Sequence, residues 1–223
     1  MNLYELMEQY AIENKLAPDE ESVTPILGTS LSLFHESLLA MGLPRDEQFG
    51  APHLSAEAGA LNVLHISYFA VSFLPFNSVY EQKETNQILF DLYSFFRWMD
   101  KLKVTHGLEG IDFGQLMRDL SAMQARCMKL SHLLDEETEF AMKSPPPICR
   151  TWSDIFEVAR IEGDFLVLTG ADGGGTVRLK LSPQTLSEAR PFDQLDLVLG
   201  DTSEKWILLE AGSAYPNPQG EGK

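Results

Sequence analysis

Lys143-Ser144-Pro145-Pro146-Pro147-Ile148-Cys149 is where the character of this chain changes. Three consecutive prolines fix φ and remove three backbone donors, so no helix continues through them, and the segment reads as a semi-rigid spacer. Upstream, apolar residues recur at helical spacing; downstream, they alternate with a period of two. The expected architecture is therefore a two-domain α+β protein. An all-α helical bundle occupies residues 1–143 and a proline-rich linker residues 144–150. A small five-stranded antiparallel β-barrel, OB-like or SH3-like, occupies residues 151–216, and residues 217–223 form a disordered tail.

Upstream of the prolines, Leu27, Leu31, Phe34, Leu38 and Met41 form one stripe, closed near Gly42 and Pro44. Ile88, Leu92, Phe95, Met99 and Leu102 repeat the pattern, widened by Leu89 and Phe96, and Gly107 supplies a residue able to turn left-handed where that helix stops. Phe113, Leu116, Leu120, Met123, Cys127, Leu130 and Leu134 sustain the spacing longest, behind an Asp112/Gln115 capping pair. Such a heptad run suits the inner face of a bundle helix or a coiled-coil pairing of two copies. A weaker helix covers residues 2–15. Ala58 to Tyr80 lacks Asp, Glu, Lys and Arg. Asn62, His65, Pro75 and Asn77 interrupt it, so it reads as a helix buried in a core rather than a membrane span.

Downstream, Ile155–Ile161 and Asp164–Thr169 flank a tight turn at Glu162-Gly163. Thr176–Leu181 alternates basic and apolar residues. Pro183–Ala189 suits a short helical turn, and Leu195–Leu199 and Trp206–Glu210 complete the set. Residues 152–162 also fit a helix ending at Gly163. Trp152, Trp206 and Tyr215 stand near the ends of this module, where they close its core or line a groove; the core is the simpler expectation.

The chain carries 33 acidic and 17 basic residues, a net charge of −16. The acidity is spread evenly: residues 1–150 hold 21 acids and 11 bases, and residues 151–223 hold 12 and 6. Phosphate backbones and anionic membranes repel such a chain unless its bases cluster on one face. Cys127 and Cys149 lack the spacing of a zinc site or disulfide framework, so Cys127 is expected as a small buried hydrophobe. Acids in the first residues and no apolar segment after them fit a cytoplasmic protein.

Candidate chemistry is sparse. Gly170–Gly175 has neither the Lys-Ser/Thr of a phosphate loop nor GxGxxG and reads as a hairpin loop; Asp172 within it lacks EF-hand company. His35, His53, His65, His106 and His132 form no HExxH, and no GxSxG elbow supplies a nucleophile. His65, inside the uncharged stretch, reads first as a buried neutral imidazole. Asp193, Asp196, Asp201 and Glu204 gather around the last hairpin as a solvated rim. No catalytic residue, cofactor site or metal site is assigned.

One segment interleaves bases and aromatics. Arg97, Trp98, Lys101 and Lys103 are the candidate interaction surface, facing away from the Ile88–Leu102 stripe. Alternatively Trp98 packs at an edge while the bases pair with Asp91 or Asp100. Tyr68-Phe69…Phe73-Leu74 followed by Thr85…Ile88…Asp91-Leu92…Phe95-Phe96…Trp98 resembles the helical core-binding domain of tyrosine recombinases over about 40 residues. That family's HxxR motif is missing, so the resemblance carries no strand-exchange chemistry to this chain. The expected function is non-catalytic binding or adaptor work, with a protein partner or self-association and no membrane. One alternative is a nucleic-acid-associated accessory role using Arg97–Lys103 and the barrel, disfavoured by charge. The other is an enzyme with a pocket assembled from distant residues such as His65, Asp193 and Asp196.

Overall fold

The computed structural model describes residues 1–48, 51–77, 82–171 and 175–216. Asp172 and the expected disordered tail, residues 217–223, lie outside the described residues. The chain divides into two compact units, Met1–Ser121 and Ala122–Lys223.

The first unit begins with α1 (Leu3–Asn14), opened by a reciprocal capping box. Asn2 Oδ1 accepts from the Glu5 backbone N–H, and Glu5 Oε2 accepts from the Asn2 N–H, each at 2.8 Å. Next come α2 (Gly28–Ala40) and a hairpin of β1 (Arg45–Gln48) and β2 (Ala51–Leu54). That hairpin corrects the all-α expectation: a short Pro-bearing strand of polar composition gives no apolar period to detect. The uncharged stretch is then helical in pieces: α3 (Val63–Tyr68), a π-turn over Phe69–Phe73, and α4 (Leu74–Asn77). Leu74 N–H reaches back five residues to Phe69 C=O. Pro75 explains the widening, because it offers no N–H to Val71 C=O and its ring would crowd that carbonyl. Ile66, Phe69, Ala70, Val71 and Leu74 are buried. Among the described residues no helix is long and apolar enough to cross a membrane.

In α5 (Gln82–Lys101), Ile88, Leu89, Leu92, Phe95, Phe96 and Met99 are buried as their stripe requires, and Phe34 lies edge-on to both Phe69 and Phe96. Leu102, expected in the stripe, is exposed beyond the helix end. The helix closes at Lys103, the left-handed residue with φ 57°, rather than at Gly107. Gly107 answers a different need. A Cβ there would sit 1.9 Å from the Leu61 carbonyl oxygen, so two backbone segments touch at a place only glycine permits.

Helix α6 (Phe113–Met142) starts where Asp112 Oδ1 caps the Gln115 N–H at 2.9 Å. The boundary between the two units falls inside this helix, twenty or more residues before the proline run that marks the change in composition. The reason is the long stripe itself: Cys127, Leu130 and Leu134 are buried in one cluster with Phe156, Leu166, Leu179, Leu197 and Leu208 of the β-module. A helix face of bundle type here covers a sheet.

Among the described residues the β-module holds five strands and one helix: β3 (Arg150–Glu162), β4 (Phe165–Gly170), β5 (Thr176–Lys180), α7 (Pro183–Glu188), β6 (Gln194–Asp201) and β7 (Trp206–Tyr215). Residues 152–162 are strand, not helix. The strands bond in the cyclic order β3-β4-β5-β7-β6, and β3 pairs with both β4 and β6 to close the ring. The sheet is mixed, which corrects the antiparallel expectation: β5 meets β7 in parallel at Leu179 and Trp206. Hairpins join antiparallel neighbours, whereas a parallel contact needs a crossover, supplied here by α7 and β6.

Candidate functional site

Strands β3, β6 and β7 of the β-module bring three separated residues side by side. Arg150 of β3 lies opposite Asp201 of β6, and Asp201 lies opposite Trp206 of β7. Arg150 Nε donates to Asp201 Oδ2 at 2.8 Å, and the guanidinium carbon stands 5.1 Å from the Trp206 ring centroid, a cation–π geometry. The Ser203 N–H and the Arg150 guanidinium together hold the Asp201 carboxyl below the usual carboxylate range. Arg150 is thereby fixed through Nε and its ring-facing plane, while neither Nη group has a partner among the described residues.

Two positions along β3, Trp152 packs edge-on to both Phe156, at 5.0 Å, and Trp206, at 6.1 Å between centroids. Glycine makes the room. A Cβ on Gly170 would fall 2.4 Å from Trp152 Cζ2 and 2.7 Å from Asp154 Oδ2. Asp154 accepts from the Ile155 and Ala171 N–H groups, which hold its carboxylate at the rim. Arg150, Trp152, Asp154 and Trp206, with Thr151, Gly175, Thr176 and Val177, line a cleft of about 540 Å³. Trp152 and Trp206 are half-buried, packed on the module's core from one side and open to the cleft on the other, so core burial describes only half of their surroundings. Neither indole N–H has an acceptor among the described residues.

The sequence-derived surface on α5 separates into two parts. Trp98 is half-buried, stacked along Phe95 and edge-on to Tyr10, and its Nε1 donates to Glu13 Oε2 at 2.8 Å. It ties α5 to α1. Arg97, Lys101 and Lys103 are exposed and make no ion pair among the described residues. Their expected partners are engaged elsewhere: Asp91 accepts from Ser30 and Gln87, and Asp100 pairs with His106 Nε2 at 3.0 Å.

Two of the remaining candidates serve the fold, and Asp196 and Glu204 are exposed as a solvated rim requires. His65 Nδ1 accepts from the Asn62 N–H and completes a capping box, with burial lowering its pKa. Asp193, expected on a solvated rim, is buried against Arg126 because the turn after α7 folds under α6. Among the described residues no three His, Cys, Asp or Glu side chains are placed to hold a metal ion. Trp152 and Trp206 carry the groove alternative in the sequence, whereas Arg150, which falls in the proline linker by composition, and Asp154 do not; Trp206 meets Arg150 only through strand register. The even spacing of Trp152 and Asp154 was the available signal: two positions apart on a strand, they face the same way.

No family model, curated protein or solved structure matches this chain, so the recombinase-like helix order stands without a matching relative.

Proposed function

We propose that this chain is a non-catalytic cytoplasmic binding or adaptor protein, and that its β-module, an OB-like barrel, recognises a protein partner. The OB-like reading rests on the cyclic strand order, the helix between the third and fourth strands, and the parallel contact between the third and fifth. An SH3-like arrangement does not account for that order. The function rests on one observation above the others: the cleft in which Trp152 and Trp206 stand half-open beside Arg150 and Asp154, their N–H groups without an acceptor among the described residues. Large aromatics with a polar handle, flanked by an arginine, are the residues that dominate protein recognition energetically. Of the three groups that suggested an enzyme, His65 and Asp193 are engaged in a helix cap and a buried ion pair, and Asp196 is exposed on β6 outside the cleft lining.

A peptide-library screen with the full chain tests this. Binders are expected that are lost in Trp206→Ala and kept in a variant with Arg97, Lys101 and Lys103 all changed to Glu. A binder set indifferent to Trp206 defeats the reading. A second reading, nucleic-acid association, draws on the three exposed cations of α5. Retention of single-stranded DNA or RNA at low salt, falling steeply as salt rises, is its signature.

A further inference from the structure

Resting on the reading of the Trp152–Trp206 cleft as a peptide site, we infer that its occupant is a proline-rich segment in polyproline II conformation with an adjoining Lys or Arg. The cleft's donors are two indole N–H groups, the Nη groups of Arg150 and the hydroxyl of Thr176, none with a protein acceptor among the described residues. Its charged acceptor is the Asp154 carboxylate, which uses part of its capacity on Ile155 and Ala171. Asp201 is turned away into its bonds with Arg150 and Ser203.

A cleft rich in donors calls for a ligand rich in acceptors. A run of prolines has that composition: it presents carbonyls, has no N–H to leave unsatisfied, and adopts the extended helix before binding, so little entropy is lost. Its rings are flat apolar bodies suited to indole faces, and aromatic-lined grooves bind such segments in this way. An ordinary extended peptide would bring a backbone N–H at every residue into a cleft whose charged acceptor is a single carboxylate. The volume, about 540 Å³, lies within the roughly 300–1,000 Å³ range of ligand sites.

Charge selects what stands beside the prolines. Arg150 is already neutralised by Asp201, which leaves Asp154 as the unpaired charge among the described residues of the cleft, on a chain of net charge −16. A cationic side chain next to the proline run meets Asp154. A phosphate polymer meets a repulsive field.

The experiment uses the full chain in a Trp98→Phe background, so that fluorescence reports Trp152 and Trp206. The probes are a blocked proline octapeptide with two arginines at one end, the same peptide with two glutamates, a Gly/Ser octapeptide with two arginines, and single-stranded oligothymidylate. The arginine–proline peptide is expected to bind saturably, at least about tenfold more tightly than the other three, a difference of about 1.4 kcal/mol. Trp206→Ala abolishes binding. Trp206→Phe, which keeps the ring and loses the N–H, weakens it by about tenfold, the scale of one hydrogen bond. Asp154→Asn removes the preference for arginine over glutamate and leaves proline binding in place. Far-UV circular dichroism checks that each variant is folded.

If the Gly/Ser peptide binds as well as the proline peptide, and does so through Trp206, the proline inference is overturned while the peptide-site reading stands. Binding of oligothymidylate alone, or of no probe in a Trp206-dependent way, overturns the inference. In that case the library screen decides separately whether the cleft takes any peptide.

Discussion

Arg126 and Asp193, 67 positions apart, meet through two parallel hydrogen bonds of 2.6 and 2.8 Å, with the Asp193 side chain 2 % exposed. Arg126 also donates to the Glu188 carbonyl, and Asp193 accepts from the Arg190 N–H. Nearby, Lys129 reaches Glu188, Glu137 accepts from the Ser182 N–H and the Thr185 hydroxyl, and Ser131 Oγ accepts from the Ala214 N–H. The second half of α6 is thus bound to the β-module along both its polar and its apolar sides, and belongs to that unit.

Removing one partner of this pair leaves the other charged and buried. Arg126→Met is expected to destabilise the second unit by about 3–5 kcal/mol, and Asp193→Asn to do so in the same direction. The double variant Arg126→Met/Asp193→Leu, with no orphaned charge, should be more stable than Arg126→Met alone. Urea unfolding followed by Trp152 and Trp206 fluorescence, with Trp98 changed to Phe, measures this. Equal stability of the double and single variants would mean that the pair is not the source of the cost.

Gly170→Ala tests what shapes the cleft. The added methyl falls within 2.4 Å of the Trp152 ring and 2.7 Å of the Asp154 carboxylate, so the indole must move. The expected cost is about 1–3 kcal/mol, with a changed near-UV circular dichroism signal and loss of any ligand that depends on Trp206. Gly59→Ala is the control: a Cβ there meets nothing within 4 Å, and stability should stay within about 0.5 kcal/mol of wild type.

What was legible in the sequence follows from range. The capping of α6 by Asp112, the stripe of α5 and the placing of β4 to β7 and α7 all depend on residues a few positions apart, and each was readable. Residues 152–162 suit a helix ending at Gly163 as well as a strand, and pairing with β4 and β6 decides for β3. The polar β1–β2 hairpin lacked a pattern. The parallel β5–β7 contact and the burial of Asp193 under Arg126 arise from residues 27 and 67 positions apart, brought together only by the fold. The cleft has the same origin. Trp152 and Trp206 are visible as tryptophans, but their meeting at 6.1 Å requires β3, β6 and β7 in register.

His35 predicts a pH dependence of the first unit. It is fully buried beside Tyr4 and His53; its Nε2 accepts from the Leu54 N–H at 3.3 Å, and its Nδ1 has no partner among the described residues. Burial, with a smaller contribution from His53, pushes its pKa down to about 4. The unfolded chain therefore takes up the proton first. Stability is fully present above about pH 6.5 and is lost as pH falls from there toward 4, by up to about 3 kcal/mol across the window. Urea midpoints at pH 7 and pH 4.5 should differ more for wild type than for His35→Gln. An identical pH slope in both proteins would assign the loss to carboxylates instead.

Trp98 and its basic neighbours give opposite expectations for stability and binding. Trp98→Ala removes a ring packed on Phe95 and Tyr10, for about 2 kcal/mol, below the cost for a fully buried tryptophan. Trp98→Phe keeps the packing and loses only the N–H that Glu13 accepts, for about 0.5–1 kcal/mol. Changing Arg97, Lys101 and Lys103 together to Glu breaks no ion pair among the described residues, so stability should move by less than about 0.5 kcal/mol. A partner docking on that face would nonetheless lose affinity, chiefly through slower association, and the loss would shrink as salt is raised. A stability cost above 1 kcal/mol in the triple variant would show that these cations hold the helix in place and are not a free surface.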